Sequence, residues 1–175
     1  MDLELVENGN GGDLVKTPRD LSVIEGFENM PYLAICGGNL KASTVKRLPT
    51  EQAFDWWANS FMDPELQMNS ETERVLNNVA LNSSGRTAIE EAVKKDLGFM
   101  TKFALVNVVV SIVATDKVVI GLRITKPNNI QKQDFIYIWD ATNRELIDRE
   151  VAIARANSSG GGGVFDLTFD ITFDT

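Results

Sequence analysis

The 175-residue chain contains no histidine and a single cysteine, Cys36. Without an imidazole, a Ser-His-Asp or Cys-His arrangement, a His-ligated zinc and an imidazole general base are all excluded within this chain. One cysteine allows neither an internal disulfide nor a Cys-cluster metal site, and Cys36 is expected as a small buried hydrophobe. Positive charge is scarce too: Lys and Arg number 17 against 25 Asp and Glu, a formal charge of −8. The basic residues form no run, so a phosphate backbone would be repelled and nucleic acid is not an expected partner. No uncharged stretch approaches the ~20 residues that span a bilayer, and MDLELVENGN has neither the basic region nor the apolar core of a signal peptide. The expectation is a soluble protein made in the cytoplasm, with no membrane contact and no cofactor. Hydrophobic residues make up 43% of the chain, enough for a real core in one domain with appendages.

The longest apolar run is Phe103 to Ala114, FALVNVVVSIVA, interrupted only by Asn107 and Ser111. Both fall on the odd-numbered side. The even side, Ala104, Val106, Val108, Val110, Ile112 and Ala114, is wholly apolar, as a strand with one face against a packed layer requires. KVVIGLRIT, Lys117 to Thr125, follows the short polar step Thr115-Asp116 and again places Val118, Ile120, Leu122 and Ile124 on one face. The spacing predicts a tight β-hairpin. The density of β-branched residues and the break at 115–116 argue against a continuous buried helix.

Two helices are expected ahead of the hairpin. Ser70-Glu71-Thr72-Glu73 has capping-box spacing, with Ser70 accepting from the first-turn amides and Glu73 reaching back. Val75, Leu76 and Val79 give the apolar stripe, and Asn82 to Gly85 is read as the stop. The second helix is expected over Arg86 to Leu97, with Ile89, Val93 and Leu97 directed at the sheet and Gly98 ending it in left-handed geometry. Further upstream, Asn8 to Gly12 reads as a turn between short extended pieces. A phosphate-cradle reading of these glycines fails, because no buried strand precedes them and the Lys-Ser/Thr pair of a P-loop is missing. Phe27 to Cys36 suggests one or two helical turns started by Pro31 and ended by Gly37-Gly38. Downstream, FIYIW at 135–139 supplies a third strand, while Glu145 to Ala156 fits a bulged strand and a frayed helix equally.

Three places suggest contact with other molecules. Trp56 and Trp57 are adjacent and cannot both face one core from a helix. Either they plug opposite sides of a loop onto the domain or one of them meets a partner. Beyond a Gly/Ser stretch, Val164 to Asp174 alternates strictly: Phe165, Leu167, Phe169, Ile171 and Phe173 share one face, and Asp166, Thr168, Asp170, Thr172 and Asp174 the other. Such a strand must pair with its own sheet or with another chain. Its carboxylates are spread along an extended strand and do not converge on one calcium ion as a tight loop's do. Asn107 and Ser111, polar among valines, mark the third place. The expected fold class is α+β: short helices packed on a mainly antiparallel sheet, with an extended N-terminal arm and a glycine-tethered C-terminal strand. The divisions are an arm or hairpin over 1–26, a core over 27–156, a linker over 157–163 and a strand over 164–175.

Catalysis would need a carboxylate pair, as in glycoside hydrolysis. Glu71 with Glu73, or Glu90 with Glu91, are the only clustered acids on expected helices, and a cap or a solvated surface explains each. A carboxylate-dependent peptidoglycan hydrolase and a small assembly adaptor docking through Trp56 and Trp57 are the alternative functions.

Gly11-Gly12-Asp13-Leu14 with Arg19-Asp20-Leu21, the Trp56-Trp57 pair, the Thr72-Glu73-Arg74 helix, the Ser84-Gly85-Arg86 step and the Val-rich hairpin occur in an order that resembles the small baseplate wedge proteins of contractile phage tails. The similarity covers roughly residues 10 to 126 and is nearer to the Mu-like branch than to the T-even branch. Where the T-even and type VI secretion branches carry a Glu-Pro-Arg triplet before the first long strand, this chain has Leu97-Gly98-Phe99-Met100-Thr101, so the triplet's ion pairing does not carry over. The resemblance implies a non-enzymatic structural protein of the virion, in the inner wedge. Its partners would be other wedge proteins, the tail sheath protein and tail tube or hub proteins, with sheet edges on which the first sheath ring is built.

Overall fold

The structure, a computed structural model, describes residues 2–9, 12–24, 29–37, 61–63, 69–127 and 132–158. The N-terminal arm carries β1 (Asp2–Leu3), β2 (Leu5–Glu7), β3 (Gly12–Leu14) and β4 (Val23–Ile24). Helices α1 (Asn29–Cys36), α2 (Glu71–Asn78) and α3 (Ser83–Asp96) follow, and a 3₁₀ turn over Gly98–Lys102 leads into the main sheet. That sheet comprises β5 (Leu105–Ala114), β6 (Lys117–Thr125), β7 (Lys132–Asp140) and β8 (Glu145–Asp148), antiparallel and in sequence order. Helix α4 (Arg149–Ser158) follows β8 directly. The fold is α+β.

The hairpin forms as its alternation predicts. Val108 lies opposite Leu122, Val110 opposite Ile120 and Ile112 opposite Val118, and Thr115-Asp116 is the two-residue loop. The strand starts at Leu105, two residues after the apolar run begins, because the amides of Phe103 and Ala104 bond the Met100 carbonyl at 2.9 Å and belong to the 3₁₀ turn. The even face enters one core cluster with Tyr32 and Ile35 of α1, Leu76 of α2 and Ile89 and Val93 of α3. Ile120, Leu122 and Ile89 are completely buried. Each such side chain contributes about 1.5–3 kcal/mol relative to exposure. Cys36 sits in the same cluster, and burial, followed by the charges of Glu7, Glu73 and Asp148, pushes its thiol well up.

Four local expectations change. Helix α3 begins at Ser83, not Arg86. The polar cluster read as a stop is its N-cap and first turn, since Asn82 Oδ1 accepts the Gly85 amide at 2.9 Å. Gly98 does not take the left-handed conformation: Leu97 ends the helix and Gly98 opens the 3₁₀ turn. Helix α1 starts at Asn29, with Pro31 in its first turn. The segment after Glu145 is strand and helix in succession, and α4 runs to Ser158, two residues into the stretch read as linker. The N-terminal arm is extended as expected, with β2 and β3 forming a hairpin and β1 pairing β4.

Asn29 fastens the arm to the core. Its Nδ2 donates to Asp2 Oδ2 (3.0 Å) and to the Leu3 carbonyl (2.6 Å), and its Oδ1 accepts the Leu5 amide (3.1 Å). Beyond β2, Asn8 bridges Ile147 of β8, so the arm lies against the β8 edge of the main sheet.

Candidate functional site: the open edge of the sheet

Strand β5 is outermost in the order β5-β6-β7-β8, and among the described residues no strand pairs with its outer side. An antiparallel edge strand directs half of its N–H and C=O groups away from its one neighbour. Sheets usually blunt such edges with Lys, Pro or a bulge. LVNVVVSIVA contains no charge and no proline, and its one irregularity lies between Ile112 and Ala114, at the hairpin end. Leu105 to Ile112 is left as a regular, uncharged edge. Its core side is packed against α3. Phe99, Phe103 and Leu105, in the 3₁₀ turn and at the start of the strand, are 43%, 54% and 62% exposed, an apolar surface left open among the described residues.

Asn107 is half-buried and lies opposite Arg123, while Ser111 is exposed and lies opposite Val119. Both are on the face away from the main core, as the alternation predicts. The same face carries a bidentate pair across β6 and β7: Arg123 Nε and Nη2 donate to Asp134 Oδ1 and Oδ2, both at 2.7 Å. The guanidinium holds the Asp134 carboxyl below the usual carboxylate range.

Of the acids considered for catalysis, Glu71 and Glu90 are held in ion pairs on the helix surface. Glu71 pairs with Arg74 and, at 3.7 Å, with Lys95. Glu73 is buried, and its amide donates to Ser70 Oγ at 3.0 Å. Residues two apart on a helix do not face each other, so the two carboxylates do not converge on a common substrate. Glu90 is engaged by Arg86 and Lys94 along α3. The residue that sequence reasoning missed is Asp96, at the end of α3. Its carboxylate accepts the Glu71 amide (3.0 Å), the Thr72 amide (2.8 Å), Thr72 Oγ1 (2.7 Å) and Ser70 Oγ (3.3 Å). Asp96 therefore caps α2 across a separation of 24 to 26 residues, joining the end of one helix to the start of the other. Burial pushes its carboxyl up, against the hydrogen bonds from Thr72 and Ser70, which favour the ionised form.

A cavity of about 470 Å³ opens between the arm, β7 and α4, lined by Glu4, Glu7, Tyr32, Tyr137, Asp148 and Val151 among others. Its acids also hold the fold. Glu7 Oε1 accepts the Gly9 amide at 2.9 Å, and Asp148 Oδ1 accepts the Glu150 amide at 2.9 Å, capping α4. Burial raises the Asp148 carboxyl against that hydrogen bond, and the charges of Glu150 and Glu4 add to the rise. Burial, then the Glu7 charge, raises the Tyr32 phenol. The Asp148-Arg149-Glu150 order is a helix-start signal that could have located this cap in the sequence.

Trp56, Trp57, Phe165, Leu167, Phe169, Ile171 and Phe173 lie outside the described residues. Among the described residues no group of three or more Cys, Asp or Glu is placed to hold a metal ion, and no helix is long and apolar enough to cross a membrane. Comparison of the chain with protein-family models, with curated proteins and with solved structures finds no match.

Proposed function

We propose that this protein is a structural component of a contractile tail baseplate, placed in the inner wedge, where it connects the wedge bundle to the first sheath ring by sheet-edge pairing. The observation that carries the proposal is the uncharged, regular outer edge of β5 on a sheet packed over the helices. An edge of this kind supplies affinity through backbone hydrogen bonds and selectivity through alternate side chains. The apolar start of the strand, at Phe99, Phe103 and Leu105, adds area for a partner to bury. The order of sequence motifs that resembles the Mu-like wedge proteins supplies the setting. Its partners are then wedge proteins, the sheath protein and tail tube or hub proteins, and its place is the virion tail, assembled in the host cytoplasm.

The test is genetic. Particles made without this protein are expected to build a tube and no sheath, and supplying the protein in trans restores the sheath. Full-length sheathed tails formed in its absence would refute the proposal.

A further inference from the structure

The open edge of β5 and the alternating C-terminal segment match each other in length and in face. β5 offers ten residues and Val164 to Asp174 eleven. If the segment lay along β5, Phe165, Leu167, Phe169, Ile171 and Phe173 would continue the core face. There Val106 and Ile112 are only partly buried at the rim of the cluster. Asp166, Thr168, Asp170 and Thr172 would continue the face that carries Asn107 and Ser111.

The question is whose edge the segment reaches. Arg155 binds the Asn8 carbonyl and, at 3.2 Å, Glu145 Oε2, so α4 runs back along β8 and ends at the Glu145 end of that strand. A strand added outside β5 lies four strand spacings from β8, about 19 Å away. The steps from Ser158 to Val164 cover about 21 Å at full extension. A random coil of the same number of steps covers about 13 Å. The route also has to pass the loops at 115–116 and 141–144, which stand at that end of the sheet. The nearer edge, along β8, is partly taken by the arm through Asn8. Pairing with the chain's own β5 thus needs the tether drawn out nearly straight, and pairing with another copy needs no such extension.

We propose that Val164 to Asp174 of one copy of this chain pairs along the open edge of β5 in a second copy. Such head-to-tail donation is a heterologous contact, which closes into a ring or continues as a filament according to the rotation between copies. The inference stands apart from the virion reading. A docked segment leaves its own outer edge open, so a sheath strand would add one position further out.

Directed cross-linking on the full chain tests it, with buried Cys36 left in place. One tagged chain carries Ser111→Cys. A differently tagged chain carries, in separate preparations, Asp166→Cys, Thr168→Cys, Asp170→Cys or Thr172→Cys. Directly opposed cross-strand residues have Cβ atoms about 4.5–5.5 Å apart, close enough for a disulfide after slight adjustment. Mixing under mild oxidation is expected to give a mixed disulfide for at least one pair. Phe169→Asp in the donor should reduce its yield at least tenfold, without altering the circular dichroism of that chain. Two results would overturn the proposal: no mixed disulfide at any of the four positions, or a doubly substituted chain that closes the bond within a monomer on dilution. Neither result bears on whether particles lacking the protein build a sheath.

Discussion

Gly85 sits in the first turn of α3, where a Cβ would stand 1.9 Å from the Ala80 carbonyl oxygen. Ordinary contact begins near 3.4 Å, so Gly85→Ala has to move backbone by about 1.5 Å. The obstacle is main chain and cannot swing aside as a flexible side chain would. Overpacking of this kind costs about 1–3 kcal/mol. Displacing the turn also endangers the Asn82 cap, worth about 1 kcal/mol. The better helix propensity of alanine returns at most about 1 kcal/mol. The net expectation is a loss of about 1–3 kcal/mol. With a urea m-value of about 2 kcal/mol/M, the unfolding midpoint falls by about 0.5–1.5 M. Gly98→Ala is the control, because nothing lies within 4 Å of the place its Cβ would occupy and its φ is not positive. That variant is expected to be neutral or up to about 1 kcal/mol more stable. Urea unfolding followed by tryptophan fluorescence, with Trp139 buried in the core, reads both. A Gly85→Ala midpoint equal to or above that of the unsubstituted protein would show that the Ala80 carbonyl leaves room for a Cβ after all.

Asp96→Ala removes the acceptor for two amides and two hydroxyls at the start of α2 and is expected to cost about 2–3 kcal/mol in urea unfolding. Burial would raise the Asp140 carboxyl, but hydrogen bonds from Lys117, Asn143 and Thr142 outweigh it and hold the pKa below the usual value. Its contribution is therefore fully present above the unfolded value of about 3.9 and is lost as pH falls through the depressed folded value. Asp140→Asn should flatten the loss of stability below about pH 4, measured as melting temperature against pH. The carboxyl of Asp96 behaves oppositely: the folded state takes up its proton first, so its contribution grows as pH falls through the raised value. Ser111→Lys, on the exposed face of β5, should leave the stability measured by urea unfolding within about 0.5 kcal/mol and, under the proposed assembly role, sharply reduce incorporation into tails, because charge on an edge strand opposes pairing.

Much of the sheet was legible because side-chain alternation is a local signal. The residues of Leu105 to Thr125 announce a strand, its buried face and its turn without reference to the rest of the chain. Helix ends were less legible. Asn82-Ser83-Ser84-Gly85 is composed of turn formers, yet the same residues suit an N-cap and first turn, and only the close approach of Ala80 to Gly85 shows why glycine stands there. Gly98 follows a helix and so suggests a left-handed stop. The chain instead tightens into a 3₁₀ turn that buries Met100 in the core. Glu145 to Ala156 was ambiguous because it holds two elements. Its first four residues are strand through pairing with Tyr137 to Asp140, and Asp148 then caps the helix. The Asp96 cap and the cavity beside the arm depend on contacts between distant residues, which no local pattern encodes. The open status of the β5 edge is of the same kind, since the hairpin pattern does not say which strand ends up outermost.

The proposed tail role is tested most directly by a reconstruction of the assembled particle at a resolution that separates strands. Under the proposed assembly role, an additional strand is hydrogen-bonded along the outer edge of β5, from Leu105 to Ile112, in each copy in the particle. A β5 edge that faces solvent in the assembled particle, with this protein held by other surfaces, would contradict it.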